Sequence, residues 1–220
     1  MTKRKLFETV LALESPNNVT YSQQLALIKN PDKKRIVANM LRQADSRNTE
    51  EAASSTGKYH PIFAQGKKGL SRHTKAVVSF IADFCEAMPE LDYDTMVIAA
   101  LLHDIMKYKN NEKFTSKTHA EDAAKWLEQN GLKEEARLVK SHMGKFDQKN
   151  VPQKFDEKML HLADYIASRT YISVDFDEND NIIISNDDPG RTANKLKQTQ
   201  DELEATKYEK DYLLGKNSGF

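Results

Sequence analysis

The run Met96-Val97-Ile98-Ala99-Ala100-Leu101-Leu102 constrains this chain more than any other stretch. It follows Asp92 and Asp94, either of which can cap a helix. Its successive apolar residues leave the helix no polar face. A helix that is apolar all round is buried on every side, so this one belongs at the centre of a core with other elements packed around it. The run is too short to cross a bilayer, which takes about 20 apolar residues, and no other stretch approaches that length. His103 and Asp104 follow it directly. A carboxylate buried there costs roughly several kcal/mol unless it has a partner.

Helical periodicity then recurs as far as residue 170 or so. Helices are predicted over residues 71–88, 118–131, 133–143 and 157–169, the second with Thr118 and Glu121 at capping-box spacing. Each places a polar ligand type on its inward stripe. His73 stands four residues before Val77 and seven before Phe80. His119 shares a face with Ala123 and Trp126, and His142 follows Leu138 and Val139. Asp164 is embedded in Leu160-His161-Leu162-Ala163-Asp164-Tyr165-Ile166. Taken singly, an inward histidine is usually a hydrogen-bonded core residue, and a buried aspartate usually caps a backbone or pairs with arginine. Six such residues on five helices are accounted for together by a metal centre, whose coordination bonds replace lost hydration.

At this point the chain resembles a known family. His73, then His103-Asp104, then Asp164 is the order His…His-Asp…Asp of the HD superfamily of metal-dependent phosphohydrolases. Gly69-Leu70-Ser71-Arg72-His73-Thr74 resembles the segment that opens the family's first ligand helix. Leu102-His103-Asp104-Ile105-Met106-Lys107 resembles its Leu-His-Asp-Ile-Gly-Lys signature, with Met106 where glycine is common. His161-Leu162-Ala163-Asp164-Tyr165-Ile166 resembles the last helix of bacterial HD enzymes that cleave diadenosine tetraphosphate. Ser141-His142-Met143-Gly144-Lys145 resembles a segment of HD-type 3′–5′ exoribonucleases, with Met143 replacing a second histidine.

The resemblance implies a metal on His73, His103, Asp104 and Asp164, and His119 and His142 match the larger pattern that holds a second ion. Asp104 would then bridge, with His73, His103 and Asp164 on one ion and His119 and His142 on the other. Two ions about 3.5–4 Å apart can share and acidify a hydroxide and clamp phosphoryl oxygens. The ligand types suit Fe or Mn and also admit Zn, Co or Ni. With Asp104, Lys107 is the second catalytic candidate, because it falls on the His103 face of the helix. Arg72, Lys117, Lys145 and Arg169 flank ligands and are candidate phosphate contacts, each weighed against an ordinary solvated charge. His161 reads as a structural neighbour of the site. His60 reads as a loop histidine, with proton donation as the sharper alternative.

The expected reaction is hydrolysis of a phosphoester or phosphoanhydride bond in a nucleotide, dinucleotide or oligonucleotide by a metal-activated hydroxide. The alternatives are a di-iron HD oxygenase, since the same ligands can activate dioxygen, and a regulatory nucleotide-binding HD protein with a slow site. Lys58, Lys67, Lys68, Arg72 and Lys75 before and around His73 lean toward an oligonucleotide. Lys plus Arg and Asp plus Glu balance at 33 each, which leans toward a small nucleotide. The one cysteine, Cys85, favours a reducing compartment, and the chain is expected to be cytoplasmic, with no membrane partner. The expected fold is all-α: an HD-domain helical bundle with a small β-hairpin and a C-terminal helix. The expected divisions are 1–56 (N-terminal helical extension and loop), 57–170 (the HD domain) and 171–220. Within the last, Tyr171 to Phe176 and Ile182 to Ile184 flank Asp177-Glu178-Asn179-Asp180 as a hairpin, and a polar helix is expected over about 191–214.

Overall fold

The computed structural model describes residues 15–54, 58, 60–109 and 118–183. Among them nine α-helices form in chain order: α1 (Pro16–Thr20), α2 (Ser22–Leu27), α3 (Pro31–Gln43), α4 (Arg47–Glu50), α5 (Gly69–Ala87), α6 (Tyr93–Leu102), α7 (His119–Gln129), α8 (Lys133–Ser141) and α9 (Phe155–Ala167). Two 3-10 turns, Ile62–Ala64 and Gly144–Phe146, complete the regular structure of the described residues.

The all-apolar run is the inner helix. Asp92 caps α6 by accepting from the Thr95 N–H at 2.8 Å. Asp94 faces away, and its carboxylate accepts the N–H groups of Lys29 and Asn30 at 2.8 and 2.6 Å. Every residue from Thr95 to Leu102 is buried, and α2, α5, α8 and α9 pack around the helix. The surrounding helices supply Val77, Ile81, Leu138, Val139 and Leu160 to one continuous core.

The N-terminal helices are part of that same core. Tyr21, Leu25, Ile28, Val37, Met40 and Leu41 are all within it. Ser15-Pro16-Asn17-Asn18, which reads as a turn, instead starts a helix: the Ser15 hydroxyl accepts from the Asn18 N–H at 3.2 Å, and Pro16 takes the first helical position. Asn17 is buried and donates to the Leu41 and Ala44 carbonyls at 2.9 and 3.0 Å, stapling α1 onto the end of α3. Residues 1–14, the start of the expected N-terminal helical extension, lie outside the described residues.

The long loop before α5 is more structured than its composition indicates. It holds α4 and a 3-10 turn, and the N–H groups of Lys68 and Leu70 donate to the Glu50 and Glu51 carbonyls at 2.8 and 2.9 Å. Gly69 has to be glycine, since a Cβ there would fall 2.2 Å from the Ala64 carbonyl oxygen. Thr118 does not cap α7 through its side chain; it hydrogen-bonds Asp122 instead.

The expected β-hairpin is not formed among the described residues. A single antiparallel bridge joins Phe176 and Ile182. Between them the Asp177 carboxylate accepts the N–H groups of Asn179 and Asn181 at 2.9 and 2.8 Å, and such local bonds compete with a ladder. Asp180, in the left-handed region at φ 59°, anchors the turn to α5 rather than to a second strand. Lys68 Nζ and Arg72 Nε donate to its carboxylate at 2.6 and 2.7 Å, and the buried Lys75 donates to its carbonyl at 2.6 Å. Ile184 and the C-terminal helix expected over 191–214 lie outside the described residues. The chain divides into two compact units, Met1–Ile182 and Ile183–Phe220, and every helix above lies in the first. No described helix is long and apolar enough to cross a membrane.

Candidate metal centre

Helix ends deliver five of the six side chains. His103 caps the C-terminus of α6 and Asp104 follows it; His142 caps the C-terminus of α8; His119 opens α7; and Asp164 sits in the last turn of α9. His73 comes from the second turn of α5. The four histidines and Asp104 are no more than 3 % exposed. Asp164 is partly exposed, on the wall of a cavity of about 240 Å³ that Asp104, His119 and His142 also line.

Asp104 is the hub, and its two oxygens face different partners. Oδ2 lies 3.2 Å from His103 Nε2 and 3.8 Å from His73 Nε2. Oδ1 lies 3.0 Å from His119 Nε2 and 3.6 Å from His142 Nε2. Asp164 Oδ1 joins the first group, 3.0 Å from His73 Nε2 and 3.9 Å from His103 Nε2. Two sets have ligand atoms close enough to hold an ion: His73, His103 and Asp164, and His103, Asp104 and His142.

Backbone carbonyls fix the tautomers of two rings. His103 Nδ1 donates to the Ala100 carbonyl at 2.7 Å, and His142 Nδ1 donates to Val139 at 2.6 Å. Each bond spends the proton of a neutral ring on Nδ1 and turns a bare Nε2 inward, the arrangement typical of a ligating histidine. His119 Nε2 then stands 3.3 Å from His142 Nε2. The Nδ1 and Nε2 of His73, His103 Nε2 and Asp104 Oδ1 are buried without a hydrogen-bond partner. The short His73–Asp164 and His119–Asp104 approaches are therefore close in distance without all meeting hydrogen-bond geometry, as expected of donors aimed at a shared point. Orphaned nitrogens and carboxylate oxygens of this kind fit divalent cations.

The charges agree. Burial pushes the Asp104 carboxyl up, but His103 and Lys107 outweigh it and hold the group well below the carboxylate range. Asp164 is likewise raised by burial and pulled far down by His73 and His103. Burial lowers His73 and His119 despite the carboxylates beside them, so both rings are held neutral. His103 is also lowered by burial, yet Asp104 and Asp164 reverse the sign and leave it raised.

The family model of the HD domain matches residues 70–169, a span that contains all six residues. Residues 70–169 are an HD domain. No curated protein and no solved structure matches the chain.

Around this HD domain's cluster the candidate phosphate contacts divide sharply. Lys107 lines the cavity; its Nζ donates to Asp104 Oδ2 at 2.5 Å and to the Ala53 carbonyl at 3.3 Å. Arg169 lines the mouth, its guanidinium 4.0 Å from the centre of the Tyr165 ring. Lys145 lies beside the mouth, 5.6 Å from the centre of the Phe146 ring. Arg72 is not among the cavity residues, because Asp180 holds it. Lys117 falls outside the described residues. In the basic stretch around His73, Lys68, Arg72 and Lys75 are all engaged by Asp180, while Lys67 pairs with Glu50 at the surface, 3.5 Å away.

Two histidines outside the six belong to the site's wall. His60 reads in sequence as a surface-loop residue, yet its ring packs edge-on to His73 at 5.2 Å and lines the cavity, and burial lowers it to about 3. An imidazole held there is neutral at ordinary pH. The Gly-x-x-His-Pro pattern at residues 57–61 gives no helical phase from which this could be read. His161 Nδ1 bonds the His142 carbonyl at 2.7 Å, bracing a neighbour of the cluster. Cys85 is half-buried against the core with its thiol pushed up by burial, and Trp126 packs on the same core.

Proposed function

We propose that the HD domain holds two divalent ions and hydrolyses a phosphoester or phosphoanhydride bond in a nucleotide-type substrate. The observation that carries this reading is the division of Asp104: one oxygen toward His73 and His103, the other toward His119 and His142. Asp104 is the bridge in this reading, Asp164 completes the first set, and Fe or Mn best suits the mixed imidazole and carboxylate ligands. When bound, such a pair supplies Lewis-acid stabilisation of phosphoryl oxygens and water acidic enough to attack at neutral pH.

The chain's own groups do the rest. Lys107 fixes the Asp104 carboxylate and brings a positive charge to the cavity, where a phosphate gathers negative charge during displacement. Backbone carbonyls hold the His103 and His142 rings, so little reorganisation is needed on binding. Engagement of Lys68, Arg72 and Lys75 by Asp180, away from the cavity, favours a small nucleotide over a long strand, in keeping with the local resemblance of residues 161–166 to dinucleotide-cleaving HD enzymes.

The test is release of phosphate or nucleotide by the purified protein loaded with Mn(II) or Fe(II) under anaerobic conditions. The panel comprises nucleotides, dinucleoside polyphosphates, cyclic dinucleotides and short RNA. Oxygen-independent cleavage that is lost in Asp104→Ala is the expected result. No cleavage of any member, or turnover only with dioxygen, contradicts the reading.

A further inference from the structure

The mouth of the cavity combines features that the metal cluster does not use. Phe146 is 69 % exposed and Tyr165 is 37 % exposed, and both line the same cavity as Asp104 and Asp164. Exposed aromatic rings beside a polar site offer a ligand flat apolar faces to cover. The backbone beneath each ring is fixed. Phe146 rides on the 3-10 turn Gly144–Phe146, whose Gly144 takes φ 56° and lies so close to His161 that a Cβ would meet the ring at 2.3 Å. The Phe146 N–H also bonds the Met143 carbonyl at 3.2 Å. Tyr165 belongs to α9, and Arg169 stacks on its ring and donates from Nε to the Tyr165 carbonyl at 3.1 Å.

The two aromatic side chains come with cations beside their faces, Lys145 at Phe146 and Arg169 at Tyr165, while Lys107 waits at the polar end. Flat aromatic surface, two cations beside it and a third cation next to the carboxylate-histidine cluster complement a molecule with a planar ring joined to phosphate. We infer that Phe146 and Tyr165 form a base-stacking subsite that takes the unpaired nucleobase of the substrate while its phosphate lies at the Lys107 end. The inference rests on the phosphate being handled at the metal centre as proposed above. Stacking uses the face of the base, so the subsite selects for a base without reading which one. The same chemistry arrives on a free nucleotide or on the end of a single strand.

The experiment compares equilibrium binding of two non-hydrolysable ligands to the Mn(II)-loaded full chain: adenosine α,β-methylene diphosphate and base-free methylenediphosphonate. Wild type binds the nucleoside ligand about 5- to 100-fold more tightly, the range that one stacked base supplies. Phe146→Ala and Tyr165→Leu, both at exposed positions, shrink that ratio toward one and leave the affinity for methylenediphosphonate unchanged. Equal binding of the two ligands by wild type, binding of neither, or variants that weaken both alike overturn the subsite. Hydrolysis of a base-free phosphodiester by the same preparation tests the phosphohydrolase reading separately, so that reading can stand when the subsite falls. A single-stranded oligonucleotide with non-hydrolysable linkages identifies the source. Tighter binding than the nucleotide, lost in Phe146→Ala, assigns a strand end, and weaker binding assigns a free nucleotide; both support the subsite.

Discussion

At the scale of single residues, Lys107 and Arg72 separate two fates of a basic side chain near a proposed metal ligand. Lys107 reaches Asp104 and the cavity, whereas Arg72 turns to Asp180. Lys107→Ala is expected to lower kcat/KM by about 100- to 1000-fold, the usual cost of removing a positioned charge from a transition state. Arg72→Ala is expected to leave turnover unchanged and to destabilise the fold by about 1 kcal/mol, a modest value because the pair is partly solvated. Steady-state kinetics and urea unfolding of both variants check this, and an equal loss of activity in the two would refute it. The six clustered residues could be read from sequence because each lies on, or directly after, a helix with a clear apolar pattern. The fate of Arg72 could not, since its partner lies 108 residues further along the chain. His60 was hidden for the same kind of reason: it reaches His73 from irregular chain that carries no periodicity.

At the scale of elements, the 3-10 turn after α8 and the Arg137 fork set how the ligand helices meet. Gly144 and Gly66 both have positive φ, 56° and 65°, but a Cβ at Gly66 meets nothing while one at Gly144 strikes His161. Gly66→Ala should cost about 1 kcal/mol from backbone strain alone. Gly144→Ala should cost more and weaken metal binding too, because His161 braces the His142 carbonyl; thermal unfolding and metal titration of the two variants measure the difference. Arg137 of α8 holds Asp156 and Glu157 of α9 at 2.5 and 2.8 Å. Burial raises both carboxyls, but Arg137 and backbone N–H groups outweigh it and lower them. Carboxyls lowered in the folded state contribute stability that is whole above their unfolded range of about 4 and fades as pH falls through the folded values. The urea midpoint of wild type should therefore hold above about pH 5 and fall below about pH 4. Arg137→Met should start lower and fall less steeply, and parallel acid limbs would remove the fork from this role. Helices α5 to α9 followed from their apolar patterns, whereas α2 and α4 are too short to show one. The other departures, α1 and the missing hairpin, come from Ser15-Pro16 acting as cap and first turn and from Asp177 and Asp180 spending their bonds locally and on α5.

At the scale of the whole molecule, the HD domain does not enclose its own core. Tyr21, Leu25, Ile28, Val37, Met40 and Leu41 join the cluster around α6, and each large apolar side chain buried there is worth about 1.5–3 kcal/mol. Their sum rivals the 5–15 kcal/mol by which a typical domain is stable. A chain starting at residue 57 is thus expected to lose cooperative unfolding and expose apolar surface, readable by calorimetry and dye binding. A sharp transition matching the full chain's would contradict the shared core. Sequence placed α6 at the centre of the molecule through its unbroken apolarity. It could not show that the N-terminal helices complete the packing, because their short amphipathic turns do not name their partner.

The most direct measurement of the central proposal is the number of Mn(II) ions bound per chain, titrated calorimetrically on metal-stripped protein. Two ions are predicted in wild type, one in His119→Ala and in His142→Ala, and none held tightly in Asp104→Ala, where the shared carboxylate is gone. A single ion in wild type whose affinity ignores His119 and His142, or binding untouched by Asp104→Ala, would contradict a dinuclear centre bridged by Asp104.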